Sequence, residues 1–259
     1  MIAGTRASRR RSGRKGARQR SWPRRVLRGL AWLLLAWVAL SATLVLLLRF
    51  VDPPLSSFML QRVVEARWRG ESGFALAHRN VPLERVSPAL RLAVVASEDQ
   101  KFPEHRGFDL AALRVVAAEH LAGQGRRGAS TISQQTAKNL FLWPGRSWLR
   151  KGMEAWFTVL IEATWPKKRI LEVYLNIAQF GPDLFGAEAA AQAFFGKPAS
   201  ALTPAEAARM AAVLPAPNRR RVEPPSPVVA SRAAWIETQM RALGGPAYLS
   251  GIGAEGEGR

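Results

Sequence analysis

Two adjacent carboxylates, Glu98 and Asp99, stand where an apolar run ends and a polar loop begins. Leu90, Ala93 and Val94 precede them at the spacing of a helix's buried face, so Glu98 is predicted to lie in the last turn of a helix, at the edge of a core. The negative end of the helix dipole and partial desolvation would both move the pKa of Glu98 upward, towards the range of a general base. The alternative interpretation is a pair of solvated carboxylates that simply close the helix.

A second group of polar side chains lies in the segment GASTISQQTAKN. Ser130 is predicted to be the N-cap of a helix on which Thr131, Gln135 and Lys138 share one face, with Asn139 beside them. Hydrogen-bond donors around a helix N-terminus suit phosphate oxygens. The alternative is the ordinary solvated side of a helix.

A third group, Arg150, Lys151 and Glu154, places a carboxylate three and four residues after two cations. By default this spacing indicates a helical salt-bridge cluster of little energetic value. It gains functional meaning only if Glu154 is the second carboxylate of an active site. The surrounding segment also holds Trp143 and Trp148, which could belong to the core or to a membrane interface.

Composition excludes several classes of site. The chain has no cysteine, which rules out disulfides, thiolate metal sites and cysteine nucleophiles, and its three histidines form no HExxH motif, which argues against a zinc enzyme. The formal net charge is +19, and eleven of the basic residues lie within residues 1–28, where no acidic residue occurs. Such a tail can bind nucleic acid, but its position immediately before an apolar run favours another role.

Residues 30–48 carry neither a charge nor a proline. At about 1.5 Å per residue, a helix of this length would cross the hydrocarbon layer of a bilayer. The positive-inside rule keeps the basic tail in the cytoplasm and places everything after the helix outside it. A cleaved signal peptide and a twin-arginine signal are the alternatives, although the apolar run is long for the former and lacks a small-residue cleavage site.

The expected organisation is a basic cytoplasmic tail (1–28), a transmembrane helix (29–50), one mainly helical domain (51–244) and a disordered, glycine-rich tail (245–259). Ser87 with Pro88, and Asp109, are predicted helix starts, and Thr203 with Glu206 forms a capping box. No strand pattern of any length is evident.

Five blocks in this order resemble the peptidoglycan glycosyltransferases, which occur as the amino-terminal domain of bifunctional penicillin-binding proteins and as free-standing enzymes. The blocks are EDQKFPEHRGFD (98–109), GASTISQQTAKN (128–139), RKGME (150–154), KKRILEVYLN (167–176) and GAEAAAQAFFGK (186–197). The chain departs from the common GGST and ITQQ patterns in the second block, as the monofunctional branch does. No SxxK, SxN or KTG set follows, so we expect no transpeptidase domain.

The resemblance implies a lysozyme-like helical domain that polymerises lipid II into β-1,4 glycan strands for cell wall biosynthesis and releases polyprenyl pyrophosphate. It assigns Glu98 as the base for the acceptor hydroxyl and Glu154 as the second essential carboxylate. Lys138, Arg150 and Lys151, with donors from Ser130, Thr131, Gln135 and Asn139, would hold the pyrophosphate. Glu154 would organise these cations or a divalent metal, Mg²⁺ or Mn²⁺, on the pyrophosphate; no obligatory cofactor is expected.

The expected partners are lipid II, the growing glycan strand and the membrane, together with division or elongation proteins, and no nucleic acid. The expected location is the inner (cytoplasmic) membrane, with one crossing and a periplasmic catalytic domain. Two alternatives stay open: a wall-cleaving lysozyme-like or lytic transglycosylase, which has no need of the cations, and a non-enzymatic membrane scaffold of the division machinery.

Overall fold

The computed structural model describes residues 22–123 and 128–254. These residues divide into two compact units, with the boundary between Thr43 and Leu44. Most of the expected basic tail (1–21) and the last five residues (255–259) lie outside the described residues. The first unit contains most of helix α1 (Trp22–Leu48). The segment Arg24–Leu48 of this helix is long and apolar enough to cross a membrane, judged by length and composition. A signal sequence near an N-terminus can meet the same criteria. Leu30, Trp32 and Leu40 on this helix are exposed, as lipid-facing side chains would be.

The second unit is mainly helical, which confirms the predicted fold class. After the end of α1 its helices are α2 (Ser57–Trp68), α3 (Pro88–Glu98), α4 (Leu110–Leu121), α5 (Ile132–Phe141), α6 (Trp148–Thr164), α7 (Lys167–Ile177), α8 (Ala187–Phe195), α9 (Pro204–Val213), α10 (Pro227–Ala242) and α11 (Gly251–Ala254).

The predicted helix starts are confirmed. Ser87 caps α3 with Pro88 in its first turn, Asp109 caps α4, and Thr203 forms a capping box with Glu206 at the start of α9. Each cap satisfies backbone N–H groups that the first helical turn leaves without a partner. The predicted N-cap of α5 was wrong by one residue, because Thr131 caps this helix and Ser130 precedes it.

The expectation that the domain contains no strands was also wrong. Three short strands, β1 (Ala77–His78), β2 (Gln179–Gly181) and β3 (Leu184–Phe185), form one sheet in the order β1, β3, β2. β1 is parallel to β3, whereas β2 is antiparallel to it. Strands of two or three residues are too short to show an alternating apolar pattern, so the sequence carried no signal for them.

The glycine-rich end of the chain is ordered over part of its length, contrary to expectation. Residues 245–249 form a 3₁₀ turn and α11 follows, with Ile252 buried against the core. The Tyr248 hydroxyl donates a hydrogen bond to the Gln100 carbonyl oxygen at 2.6 Å. Two contacts beyond residue 244 therefore hold a segment whose composition alone predicts disorder.

The core determines how the site elements are placed. α3 is buried along most of its length and packs against α9 and α10, and the buried alanines of α9, such as Ala208 and Ala211, allow a close approach. α5 packs against α6 and α7. The C-terminal end of α3, the start of α5 and one side of α10 consequently meet. Among the tryptophans of this part of the chain, Trp165 is buried in the core, whereas Trp148 is exposed.

Candidate active site

Glu98 is the last residue of α3, as predicted, and its side chain is 12% exposed. Its Oε2 atom accepts a hydrogen bond from Gln135 Nε2 on α5 at 2.9 Å. Its Oε1 atom accepts no hydrogen bond from any residue that the structure describes, and it lies 3.7 Å from Arg232 Nη2 on α10. One oxygen is therefore held in place while the other remains available to accept a proton.

The electrostatic surroundings of Glu98 favour a basic carboxylate. Burial raises its pKa above the ordinary value of 4.5, because a charged carboxylate loses hydration at this site. The Gln135 hydrogen bond and the positive charges of Arg232, Lys138 and Arg220 reduce this rise without cancelling it. A carboxylate with a raised pKa binds a proton more strongly than an exposed glutamate does.

Glu98 opens into a cleft of about 870 Å³. One wall consists of the end of α3 and the start of α5, including Ser130 and Gln135, and the facing wall includes Arg232 and Trp235 of α10. This volume falls in the range of ligand sites, which are commonly 300–1,000 Å³. A smaller hollow of about 200 Å³ shares Gln135 and Pro215 with this cleft.

The smaller hollow is lined by Lys138 and Asn139. Burial lowers the pKa of Lys138, and the charges of Arg150 and Lys151 lower it further, while the carboxylates Glu154 and Glu98 oppose the change. Lys138 thus lies within electrostatic reach of both carboxylates. A partly desolvated cation in this position interacts more strongly with an anionic ligand than a surface lysine would.

Glu154 is buried on α6 and joins the two predicted cations. Its oxygens accept from Arg150 Nη1 at 2.9 Å and from Lys151 Nζ at 2.5 Å. The exposed fraction is 4% for the Glu154 side chain and 11% for that of Arg150, so this is not the weak surface pair that the spacing suggests by default. Glu154 orients the cations next to Lys138.

The residues do not fit a metal held by the protein. Each Glu154 oxygen already accepts a hydrogen bond from a cation, so a metal ion at either oxygen would lie close to a second positive charge. Across residues 22–123 and 128–254, no group of three or more His, Asp and Glu side chains gathers at one point. We derive no step through the expected Mg²⁺ or Mn²⁺.

Thr131 does not act as a free donor in the cleft, contrary to expectation. It is buried, and its hydroxyl donates to the Gly107 carbonyl oxygen at 2.6 Å, while Thr131 Oγ1 accepts from the backbone N–H of Gln134. Its single hydroxyl proton is therefore used within the protein. Ser130, by contrast, is exposed and lines the large cleft.

Asp99 fixes the position of Glu98 relative to α5. Its carboxylate accepts from His105 Nε2 at 2.9 and 3.0 Å and from the backbone N–H of Ile132 at 2.9 Å. The hydrogen bond from Ile132 ties the end of α3 directly to the first residue of α5. Asp99 and His105 therefore form local hydrogen bonds that hold the end of α3 and the start of α5 together.

Three residues of the site were not predicted from the sequence. The Tyr174 hydroxyl donates to Gln135 Oε1 at 3.2 Å, which orients the amide so that its NH₂ group faces Glu98. The only sign of this role in the sequence is the tyrosine hydroxyl itself. Arg232 and Trp235 lie more than 130 residues after Glu98, and only the packing of α10 against α3 brings them to the cleft.

Comparisons with known proteins agree on one family. A family model described as Transglycosylase matches residues 69–241. A biosynthetic peptidoglycan transglycosylase of Xanthomonas campestris pv. campestris (strain B100) is 54% identical over 230 residues, which cover 88% of this chain and 94% of that protein. Proteins of the same name from Aeromonas hydrophila subsp. hydrophila and Stutzerimonas stutzeri (strain A1501) are 53% and 52% identical, over 85% and 88% of this chain and 93% and 94% of their own lengths. The chain belongs to the transglycosylase family, whose domain is lysozyme-like.

Proposed function

We propose that this peptidoglycan glycosyltransferase polymerises lipid II, a disaccharide-pentapeptide joined through pyrophosphate to a polyprenyl chain, into β-1,4 glycan strands. Family membership and the relatives' names support a glycosyltransferase of cell wall synthesis. The observation that supports a lipid-linked substrate is that Glu98 and Lys138 line two cavities that share Gln135, with Arg150 and Lys151 within electrostatic reach of Lys138. Glu98 supplies a base, and the cations can bind an anionic leaving group.

Formation of the new glycosidic bond requires a base. The 4-hydroxyl oxygen of the acceptor sugar attacks the anomeric carbon of the donor, and its proton passes to Glu98 Oε1, the oxygen without a hydrogen-bond partner among the described residues. Gln135 holds the other carboxylate oxygen. The raised pKa of Glu98 increases its affinity for that proton.

Departure of the lipid pyrophosphate requires the cations. As the donor's anomeric C–O bond breaks, the bonding electrons leave with the lipid pyrophosphate, and attack from the opposite face converts the α linkage into a β linkage. Lys138, Arg150 and Lys151 would stabilise the charge that develops on the departing oxygens, with Asn139 as a neutral donor. Glu154 keeps Arg150 and Lys151 in position before substrate arrives, so little reorganisation is required during the reaction.

The wall-cleaving alternative does not account for the cations. A hydrolase or lytic enzyme expels an uncharged sugar hydroxyl and uses a carboxylic acid to protonate it. A buried Glu154 that gathers two cations beside a desolvated Lys138 has no task in such a reaction. Departure of a pyrophosphate gives these charges a purpose.

The apolar helix supports a further part of the proposal, that the chain is anchored in the inner membrane by one crossing with the basic end in the cytoplasm. A lipid-linked substrate is confined to the bilayer, so an anchored enzyme meets it at a raised effective concentration. A carboxy-terminal reporter that fluoresces only in the cytoplasm should stay dark, and bright cells would contradict this orientation.

The decisive experiment is polymerisation of labelled lipid II by the detergent-solubilised chain. Wild type should form glycan strands, whereas Glu98→Gln should lose at least about a hundredfold in rate, the lower end of the contribution of a general base. Glu65→Gln, which alters an exposed glutamate on α2, is the matched control and should retain full activity. Digestion of isolated cell wall without any polymerisation would favour the cleaving enzyme. Full complementation of a deletion strain by Glu98→Gln would favour the scaffold.

A further inference from the structure

One side of α10 carries large and polar side chains that the proposed reaction does not use. Val229, Ala233, Ile236 and Met240 anchor this helix in the core. Next to them runs a second row at helical spacing, which we call the α10 stripe: Val228, Arg232, Trp235 and Gln239. The stripe extends for about 16 Å along the helix.

The middle of the stripe faces the catalytic cleft. Arg232, Trp235 and Gln239 all line the cavity that contains Glu98. Trp235 is 47% exposed, so part of its indole ring is available to a ligand in the cleft. The Arg232 guanidinium carbon lies 5.9 Å from the centroid of the indole ring, and the same guanidinium group approaches Glu98. Trp235 is therefore held at a defined position beside the base.

Amide groups complete this wall. Gln100 Nε2 donates to Ala96 O and to Gln239 Oε1, both at 3.1 Å. These bonds fix both side chains and leave the side-chain oxygen Oε1 of Gln100 and the side-chain NH₂ group of Gln239 for a ligand. An aromatic ring with a fixed acceptor and a fixed donor can bind a sugar, because one sugar face is lined with C–H groups and its edge carries hydroxyl and acetamido groups.

The direction of the reaction decides which sugar lies there. In an inverting displacement the nucleophile and the leaving group occupy opposite faces of the anomeric carbon. Lys138, which lies within electrostatic reach of Arg150 and Lys151, lines the small hollow, whereas Trp235 and Gln239 line the large cleft that contains Glu98. A sugar against Trp235 is therefore the one that presents its hydroxyl to Glu98.

We propose that Trp235, together with Gln100 and Gln239, forms the binding subsite for the acceptor saccharide. The indole ring stacks on the acceptor sugar, and the two amides bind its polar edge, so that the 4-hydroxyl reaches Glu98 Oε1. This subsite rests on the proposed function, because it assumes a glycosyl acceptor in the large cleft.

The test separates the acceptor from the donor. A lipid II whose terminal sugar lacks the 4-hydroxyl can donate but cannot accept, and an analogue with a methylene group in place of its anomeric oxygen can accept but cannot donate. The detergent-solubilised 259-residue chain can couple this pair only once. Trp235→Ala should raise the KM for the acceptor analogue about tenfold, as expected for the loss of a stacking contact and its buried area, with the donor KM within about twofold of wild type. Trp235→Phe should recover most of the loss.

Trp68→Ala removes another exposed tryptophan, on α2 outside both cavities, and should change neither KM. Circular dichroism verifies that each variant folds. An unchanged acceptor KM in folded Trp235→Ala, or an equal rise in the donor KM, would overturn the subsite.

Binding of a fluorescent acceptor analogue, followed by anisotropy, reports on the subsite without turnover. If wild type binds this analogue through Trp235 but couples nothing, the proposed reaction fails and the saccharide subsite stands. If Trp235→Ala binds it as tightly as wild type does, the subsite is refuted whatever the coupling assay gives.

Discussion

The ion-pair group around Glu154 yields the sharpest prediction about stability, through the substitution Glu154→Gln. The change leaves the shape of the side chain but removes the charge that Arg150 and Lys151 share. Arg150 is 11% exposed, so loss of its charged partner should cost about 1.5–3 kcal/mol. Lys151 is 46% exposed, and solvent screening limits its share to about 0–1 kcal/mol. The expected net destabilisation is about 3 kcal/mol, a fall in Tm of roughly 6–12 °C for a domain of this size.

Thermal unfolding of the detergent-solubilised chain, followed by circular dichroism, measures this effect. Glu65→Gln is the control, because Glu65 also pairs with an arginine four residues away, Arg69, but both side chains are exposed. Its Tm should stay within about 2 °C of wild type. A fall in Tm for Glu154→Gln no larger than that of the control would refute the argument that burial makes this group strong. A normal polymerisation rate in folded Glu154→Gln would refute its proposed role in orienting the cations.

Two further predictions concern pH and backbone packing. The kcat/KM for polymerisation should fall as pH decreases through the pKa of Glu98, with a midpoint above 4.5 because burial raises that pKa. Arg232→Gln removes a nearby cation and should move this midpoint still higher. A lower midpoint in Arg232→Gln would contradict the assignment of Glu98 as the base. Gly186→Ala should destabilise the fold by about 2–4 kcal/mol, because its φ is +85° and a Cβ would lie 2.7 Å from the Asn176 carbonyl oxygen. Gly196→Ala, at φ +65° with no heavy atom within 4 Å, should cost only about 1–2 kcal/mol, and equal losses of Tm would show that the contact with Asn176 is unimportant.

Features that depend on neighbours in the chain were predictable. Ser87 and Asp109 begin helices because their side chains bond backbone N–H groups three residues ahead, a relation that sequence spacing contains directly. The contact of Glu154 with the two cations lies within a single helix and follows from the same periodicity. The position of Glu98 at the end of α3 was equally predictable, because the helical spacing of apolar residues stops there.

Features that depend on packing between distant segments were not predictable from these patterns. The burial that makes the Glu154 pair strong comes from the surroundings of α6, whereas its spacing alone indicates a weak surface pair. Thr131 occupies a position suited to a hydrogen-bond donor for phosphate, yet its hydroxyl donates to the Gly107 carbonyl oxygen. The composition after residue 244 indicates disorder, but Tyr248 and Ile252 find partners in the folded domain.

The sequence by itself determined the helical class, the apolar helix near its start and the residue types of a base and a cation group. Only the tertiary structure decided which groups adjust that base: Gln135 on one carboxylate oxygen, Tyr174 behind the amide, and Arg232 beside the free oxygen. The physical reason is that helix periodicity and capping act over three or four residues. The contact of α10 with α3 instead arises from burial of apolar faces that no local pattern pairs with each other.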